Sequence, residues 1–460
     1  MAWLKKEPLR SLRKDLGKDK LLTSPEELLL YGYDATNYRG EPIAVVMAET
    51  TDDIRRTVNF AREEGYKITP RGAGSGLSGG SVPVDGGIVI SCERMNSILK
   101  VDVDNHYIIV QPGVVTNIVQ EAAARHKLFY PPDPSSYTVS TIGGNVSENA
   151  GGLRCFKYGV TGHYVLGIEF IDAAGNLYRT GALDDKDHNP DLTPLLVGSE
   201  GTLGIFSQIA LRLIRAPEET ITISAYFNDQ KMVFDSIDRI ISSGCVPSVL
   251  EYIDSKALSA SAKHIGVDYP EDAVGLLLIE LDGFKSEIET ALGYIKELLG
   301  EVTVEMNIAS LESDRKRLWQ LRRGISPSLI RLSSGKIHED VAVPRHRLYD
   351  LVEFISETEN KYKLAIPFYG HAGDGNLHVV IMYDAQQGGQ HEKAVQASQE
   401  IFKAAIDMGG TITGEHGIGC AKRQYLPWQQ TDKVIEQYRQ IKKLLDPNDL
   451  FNPEKVLPNR

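Results

Sequence analysis

The sequence predicts an α+β protein built from more than one domain. Three observations predict it. The chain has 460 residues, beyond what one hydrophobic core usually organises. Its first half alternates short apolar runs with helices and glycine-rich loops, and past Pro217 two strand–helix–strand units follow in tandem. The first 40 residues read as a polar helical lead. Residues 43–110 then give the strands IAVVMAET, YKITP, GGIVIS and HYIIVQPG, with one helix, DDIRRTVNFAREEG, among them. VVTNIVQEAAAR (114–125) carries apolar residues at helical spacing. From 139 to 215 the chain is punctuated by glycine around the runs VLGIEFID and GIFSQIALRLI, and Gly175-Asn176 marks a tight turn before NLYRT.

Beyond Pro217, ITISAYFND, KMVFDSIDRIISSG and VLEYID form one unit; GLLLIELDG, KSEIETALGYIKELLG and VTVEMNI form the second. Such a tandem predicts a split βαβ layer, an antiparallel sheet with helices on one face. The long helix LESDRKRLWQLRRGISPSLIRL comes next, then EDVAVP, a further helix, AIPFYGHAGDGNLHVVIMY, a helix ending at Gly409-Gly410, and short helices ending in LFNPEKVLP. We expect a first domain at 1–217, with the helical lead at 1–40, a second at 218–413, and a segment 414–460 that returns to the first.

Composition narrows the partners. A formal net charge of −12 argues against nucleic acid or an anionic membrane, since both are met by basic patches. The four cysteines (Cys92, Cys155, Cys245, Cys420) never form a C-x-x-C pair, which argues against a disulfide framework, a thiolate metal site and an iron–sulfur cluster. The start, MAWLKKEPLRSLRKDLGKDK, is basic without an apolar core, so no signal peptide is expected. No apolar stretch is long enough to span a bilayer, and a cytoplasmic protein is the expectation.

The glycine loops carry the first chemistry. Gly74, Gly76 and Gly79 in PRGAGSGLSGG match the Rossmann dinucleotide string. That string has physical meaning only where the loop leaves a strand and opens a helix. Here it runs on into VPVDGG and the strand IVIS, so the Rossmann reading is rejected. A loop of this composition between strands can still offer successive N–H groups to a phosphate. STIGGNVSENAGG (140–152) places Gly143-Gly144 before a short helical stretch whose first N–H groups are expected to face an anion or a flavin edge. GSEGTLGI (198–205) and the proline-fixed PPDPSS (131–136) complete the series.

In this order, PRGAGSGLSGG, PPDPSSYTVSTIGGNVSENAGG, KYGVTGHYVLG and GSEGTLGI resemble the FAD-binding domain of the vanillyl-alcohol oxidase/p-cresol methylhydroxylase flavoproteins. YGHAGDGNLH (369–378), GEHGIG (414–419) and LFNPEKVLP (450–458) narrow the resemblance to the branch of D-lactate dehydrogenases and glycolate oxidase flavoprotein subunits, over nearly the whole chain. It implies a two-subdomain FAD-binding domain of the p-cresol methylhydroxylase type, a substrate cap with an antiparallel sheet covered by helices, and a tail returning to the first domain. It implies that residues 70–80, including Pro70, Arg71, Gly72, Ala73, Gly74, Ser75, Gly76 and Ser78, wrap the FAD pyrophosphate. Gly143, Gly144, Asn149, Gly151 and Gly152 would line the flavin, Glu200 and Gly201 the adenosine side, and Asn452 would close the site. Pro132, Asp133, Ser140, Thr141, Tyr158, Gly159 and Ile205 would complete the FAD contacts that the resemblance implies. Relatives that attach FAD covalently use a His in the pyrophosphate loop; this loop has none, so FAD is expected to be non-covalent.

His371, His378 and Glu415 offer two imidazoles and a carboxylate, a set suited to Zn, Mn or Fe(II) with positions left open for substrate. A single histidine more often packs in a core or on a surface. Three of the eleven (His371, His378, His416) in glycine-rich loops beside acids favour a site, and metal-dependent members of the family bind an ion through matching positions. The implied reaction removes a hydroxyl proton from a small 2-hydroxy acid and moves hydride from C2 to flavin N5, with D-lactate the first substrate expected and glycolate the alternative. A cation on hydroxyl and carboxylate would lower the alcohol pKa, and His416, beside Glu415, is the expected base. Arg322 in RLWQLRRG is the expected partner of the substrate carboxylate, with Arg323 on another helix face. This rests on the family match. Relatives that take dicarboxylates carry a second basic group where this chain has His338, and an Asn where it has Val380; both departures favour a short acid. A protein acceptor, an electron-transferring flavoprotein or an iron–sulfur subunit, is the implied electron partner. The reading of another class is a flavin-carrying electron-transfer subunit without dehydrogenase activity, which intact HAGDGNLH and GEHG disfavour.

Overall fold

The computed structural model describes residues 6–183 and 191–459; residues 1–5 of the basic start lie outside them. The chain divides into two compact units, one of residues 1–151, 160–216 and 415–460, the other of residues 152–159 and 217–414.

Among the described residues, the first unit holds two main sheets. The strands β1 (Leu21–Leu22), β2 (Ala44–Met47), β3 (Ile68–Arg71) and β4 (Ile88–Ser91) stand in the order β1-β2-β4-β3. β4 runs parallel to both β2 and β3. The helix Thr51–Glu64 makes the crossover from β2 to β3. Its start is fixed by a capping box: the Thr50 hydroxyl accepts from the Asp53 amide at 3.2 Å, and the Asp53 carboxylate accepts from the Thr50 amide at 3.0 Å. Its end is fixed by Gly65, which takes a φ of 75°. Ile54, Val58 and Ala61 on the buried face pack with Val46, Ile68, Ile88 and Ile90. From β3 the chain enters the glycine loop and reaches β4 with no intervening helix among residues 72–87. A dinucleotide fingerprint has no helix to act through here.

The second sheet is antiparallel, formed by β5 (Ile98–Asp102), β6 (Tyr107–Val110), β8 (Val165–Ile171), β9 (Leu177–Arg179) and β10 (Ile205–Arg212) in the order β5-β6-β10-β8-β9; β7 (Leu128–Phe129) pairs separately with β11 (Ile214–Arg215). The turn at Gly175-Asn176 joins β8 to β9, and the Asp172 carboxylate accepts from the amides of Ala174 and Asn176. The C-terminal segment returns to the first sheet. The Ile68 amide donates to Leu450 O, the Asn452 amide donates to Ile68 O, and Phe451 is fully buried in the same core.

The second unit is one sheet of β12 (Glu219–Phe227), β13 (Val249–Asp254), β14 (Gly275–Gly283), β15 (Glu305–Ala309), β16 (Gly335–Ala342), β17 (Phe368–His371) and β18 (Asn376–Tyr383), in the order β15-β12-β14-β13-β17-β18-β16. Every neighbouring pair is antiparallel. β14 therefore separates β12 from β13, and β12 separates β14 from β15, which makes a split βαβ layer. The helices cover both faces, not one. Ala257, Leu258 and Ala262 of the helix Ser255–Ile265 and Trp319, Leu321, Ile325 and Leu329 of the helix Glu312–Ile330 pack with Val249, Ile253, Leu276 and Leu278. On the opposite face the Phe234 ring of the helix Gln230–Ser242 meets Tyr252, centroids 5.0 Å apart. The cause is visible in GLLLIELD, which is buried at every position, because a strand covered on both sides has no solvent face to make polar.

Candidate active site

The period of two along a strand decides which side chains of the second unit meet. On β13, Val249, Glu251 and Ile253 share one face. Register places Glu251 opposite His371 and Ile253 opposite Tyr369 on β17. It places Tyr369 opposite His378 on β18, then His378 opposite Asp340 and Val380 opposite His338 on β16. The turn Ala372–Gly375, with Gly375 at φ 75°, returns the chain so that His378 lies beside Tyr369 and close to His371. A Cβ on Gly375 would stand 2.1 Å from Val343 O, so only glycine turns the chain here.

The result is a buried polar cluster on this sheet face. The His371 and His378 rings stand edge to face with centroids 5.1 Å apart. His371 Nδ1 meets Glu251 Oε1. Arg322 Nε donates to Glu251 Oε2 at 2.6 Å, and its guanidinium carbon lies 4.5 Å from the Tyr369 ring centroid. Glu251, in the middle of β13, has no exposed side-chain surface. Burial pushes its carboxyl up, but the Arg322 charge and the hydrogen bonds from His371 and Arg322 outweigh burial and hold it below the ordinary value. Asp340 is equally buried: it accepts from Asn376 Nδ2 at 2.6 Å, Thr413 Oγ1 at 3.1 Å and the Gly414 amide at 2.8 Å, and its Oδ1 stands 3.7 Å from His378 Nδ1.

Arg322 is buried on the helix Glu312–Ile330, whereas Arg323 is exposed. In a neutral imidazole, a carboxylate on Nδ1–H turns Nε2 outward as a lone pair, so Glu251 behind His371 is the kind of group a histidine metal site uses. These two imidazoles could hold a divalent ion. Glu415 and His416 are half-buried and belong to the first unit. Glu251, Asp340 and Tyr369 were not read from the sequence as site residues. For Glu251 the signal was an ionisable residue inside the apolar run VLEYID; Asp340, beside Glu339 in the polar stretch KIHED, carried no such signal.

In the first unit the structure collects most residues expected to touch FAD. Gly72 packs so closely on Thr141 that a Cβ would lie 2.1 Å from its Oγ1, which locks the 70–80 loop against the 140–151 segment. Ser78 Oγ stands 3.4 Å from Glu148 Oε1, and Gly143 is pressed on Pro112. Asn149, at φ 52°, accepts from the Gly162 amide at 2.8 Å. Asn452 Nδ2 donates to Gly80 O at 2.9 Å and Glu200 O at 2.7 Å, so the tail ties two of the loops together. Lys455 Nζ adds bonds to Gly80 O and Val82 O, and burial pulls its ammonium down to about 8.

Several of these groups are spent inside the protein. Arg71 Nη1 donates to Tyr33 O at 2.6 Å, and Ser140 Oγ pairs with Thr116 Oγ1 at 2.9 Å. Pro132 O accepts from Gln120 Nε2, and Ile205 opens β10 in the core. Gly143 and Gly144 fall inside the helix Ile142–Glu148 and do not precede it. The amides of Ile142 and Gly143 already donate to Val114 O and Pro112 O, so these two are not offered to an anion as the sequence predicted. Gly152, Tyr158 and Gly159 group with the second unit. There the Tyr158 hydroxyl donates to Asp282 Oδ2 at 2.8 Å and Lys157 Nζ to Asp282 Oδ1 at 2.6 Å.

Residues 42–181 match the family model of the FAD binding domain, and residues 216–456 match that of the FAD linked oxidases, C-terminal domain. The chain belongs to the FAD-linked oxidases. This FAD-linked oxidase is 39% identical to the glycolate oxidase subunit GlcD of Bacillus subtilis (strain 168), over 93% of the chain and 92% of that protein. It is 30% identical to a D-lactate dehydrogenase of Anaerostipes hadrus, over 94% and 91%. In structure it is similar to a 4-ethylphenol oxidase from Gulosibacter chungangensis, with a TM-score of 0.83, 16% identity and coverage of 100% and 98%. It is also similar to p-cresol methylhydroxylase, with a TM-score of 0.80, 17% identity and coverage of 98% and 96%. The vanillyl-alcohol oxidase/p-cresol methylhydroxylase fold is thereby shown.

The loops of this FAD-linked oxidase suit the cofactor. Thr141 Oγ1 and Ser199 Oγ are buried with no hydrogen-bond partner among the described residues, which leaves polar groups for a bound molecule to satisfy. A Cβ on Gly76 would meet nothing within 4 Å; its backbone faces open space, as close approach of a phosphate requires. No helix among the described residues is long and apolar enough to cross a membrane.

Proposed function

We propose that this oxidase dehydrogenates a short 2-hydroxy monocarboxylate, D-lactate or glycolate, to the 2-oxo acid. The observation that carries the reading is the buried set Arg322–Glu251–His371–His378 on one sheet face. Arg322 binds the substrate carboxylate through its guanidinium, whose plane the Nε bond and the Tyr369 ring fix. His371 and His378 would hold a divalent metal, with Glu415 the carboxylate expected from the sequence, and the ion would supply Lewis acidity that lowers the hydroxyl pKa. His416 takes the hydroxyl proton. FAD would supply the hydride acceptor at N5 and would be held without a covalent bond, because the 70–80 loop has no histidine.

Substrate size is read from Val380 and His338, which stand directly opposite one another on β18 and β16. Val380 offers an apolar surface where a second carboxylate would need donors, which favours a monocarboxylate. Similarity to glycolate oxidase subunits favours glycolate, and similarity to D-lactate dehydrogenases favours D-lactate. The two differ by one methyl contact, worth about 1–3 kcal/mol. The reduced flavin has to pass its electrons on, and the family resemblance favours a protein acceptor, an electron-transferring flavoprotein or an iron–sulfur subunit. The test is anaerobic stopped-flow reduction of the bound flavin. D-lactate or glycolate is expected to reduce it at least about tenfold faster than D-2-hydroxyglutarate, and the reverse ranking overturns the reading.

A further inference from the structure

We infer that Glu251 is a positioning residue that holds the substrate-binding guanidinium and a metal-binding imidazole on one carboxylate. The inference rests on the function proposed above and adds a dependence between its two halves. Each oxygen of Glu251 has its own partner: Oε2 accepts from Arg322 Nε, and Oε1 meets His371 Nδ1. The carboxylate has no exposed surface, so water does not compete for either oxygen. Sheet register fixes its reach, because Glu251 stands directly opposite His371 on the neighbouring strand.

Both bonds do geometric work. The bond from Nε, together with the Tyr369 ring 4.5 Å away, sets the plane in which the guanidinium meets a carboxylate. The bond at Nδ1 sets the tautomer and leaves Nε2 as the ligand atom. A carboxylate that only neutralised a buried arginine would need one of these contacts. Here one group carries both. A glutamine at this position has a single acceptor oxygen and turns an amide N–H toward the second donor. An aspartate keeps the charge but withdraws it by one methylene.

The experiment compares Glu251→Gln and Glu251→Asp with the unaltered FAD-loaded protein. Thermal melting and the flavin absorption spectrum establish that each variant is folded. Protein stripped with a chelator is titrated with Zn²⁺ or Mn²⁺ alone, and kcat and KM are measured on the metal-loaded enzyme with the faster of D-lactate and glycolate. We expect the metal dissociation constant to rise about 10–100-fold in both variants. KM should rise by at least about tenfold, with a smaller fall in kcat. Wild-type metal affinity, or wild-type KM, in both variants overturns the inference, even where melting temperature falls. If Glu251→Gln does not fold, Glu251→Asp alone decides. The two failures are distinguishable. An unaltered protein that neither binds the ion nor is reduced by these acids overturns the proposed function, whereas one that does both while the variants match it removes Glu251 alone.

Discussion

Two buried acids of the first unit, Glu148 and Glu200, look alike in sequence and behave differently in the fold. Both face Gly417, whose Cβ would lie 2.3 Å from Glu148 Oε2 and 3.2 Å from Glu200 Oε1. Burial raises both carboxyls, and the Glu200 charge pushes Glu148 further up. Glu200 accepts from the amides of Ile418 at 2.9 Å and Gly419 at 2.6 Å, which favours its ionised form, so Glu148 holds the proton. Glu148→Gln, an isostere of the protonated acid, is therefore expected to leave stability within about 0.5 kcal/mol. Glu200→Gln puts an N–H against one of the two amides and is expected to cost about 1–3 kcal/mol. Chemical denaturation of the two variants checks this, and equal losses would contradict the assignment. The resemblance pointed to Glu200, but its carboxylate serves the 414–419 turn. Likewise Glu251 lies 120 residues from His371, and only strand register, which no local pattern encodes, joins them. His371, His378 and Arg322 were singled out from local strings, HAGDGNLH and RLWQLRRG.

At the scale of elements, the strands and helices past Pro217 were legible from their periodicity, and so was the split βαβ order. Coverage of the sheet by helices on both faces was not anticipated, although the unbroken run GLLLIELD carries that information. The glycine loop between β3 and β4 was read correctly as lacking a helix, because the sequence after Gly80 turns straight into a strand. One helix start carries a pH dependence. Asp254 caps the helix Ser255–Ile265, accepting from the Ala257 amide at 2.8 Å, and burial pushes its carboxyl up to about 7. A carboxyl raised in the fold keeps a proton that the unfolded chain has already released. Its contribution to stability is therefore present below the ordinary aspartate range and lost as pH rises from about 4 to 7. Asp254→Asn keeps the cap and removes the titration. Its melting temperature should match the unaltered protein near pH 4 and exceed it at pH 8. A difference that does not change with pH would contradict this account.

Over the whole molecule, the family match and the fold agree on an FAD-linked oxidase. Each unit holds its own part of the proposed chemistry: glycine loops and the returning tail in the first, and the Glu251–Arg322–His371–His378 cluster in the second. The fold class could be read from the sequence because spaced glycine loops and tandem strand–helix–strand units survive as local strings. The carboxylates behind the histidines could not, since they are set by a sheet whose strand order departs from chain order. The central claim is that a metal on His371 and His378 activates a short hydroxy acid bound by Arg322. The most direct measurement is the anaerobic rate of flavin reduction by D-lactate and glycolate in protein stripped with a chelator, then reloaded with Zn²⁺ or Mn²⁺. Loss of several kcal/mol of Lewis-acid stabilisation should slow the stripped protein by at least about a hundredfold, with reloading restoring the rate. Full-rate reduction of the stripped, flavin-replete protein would contradict the claim.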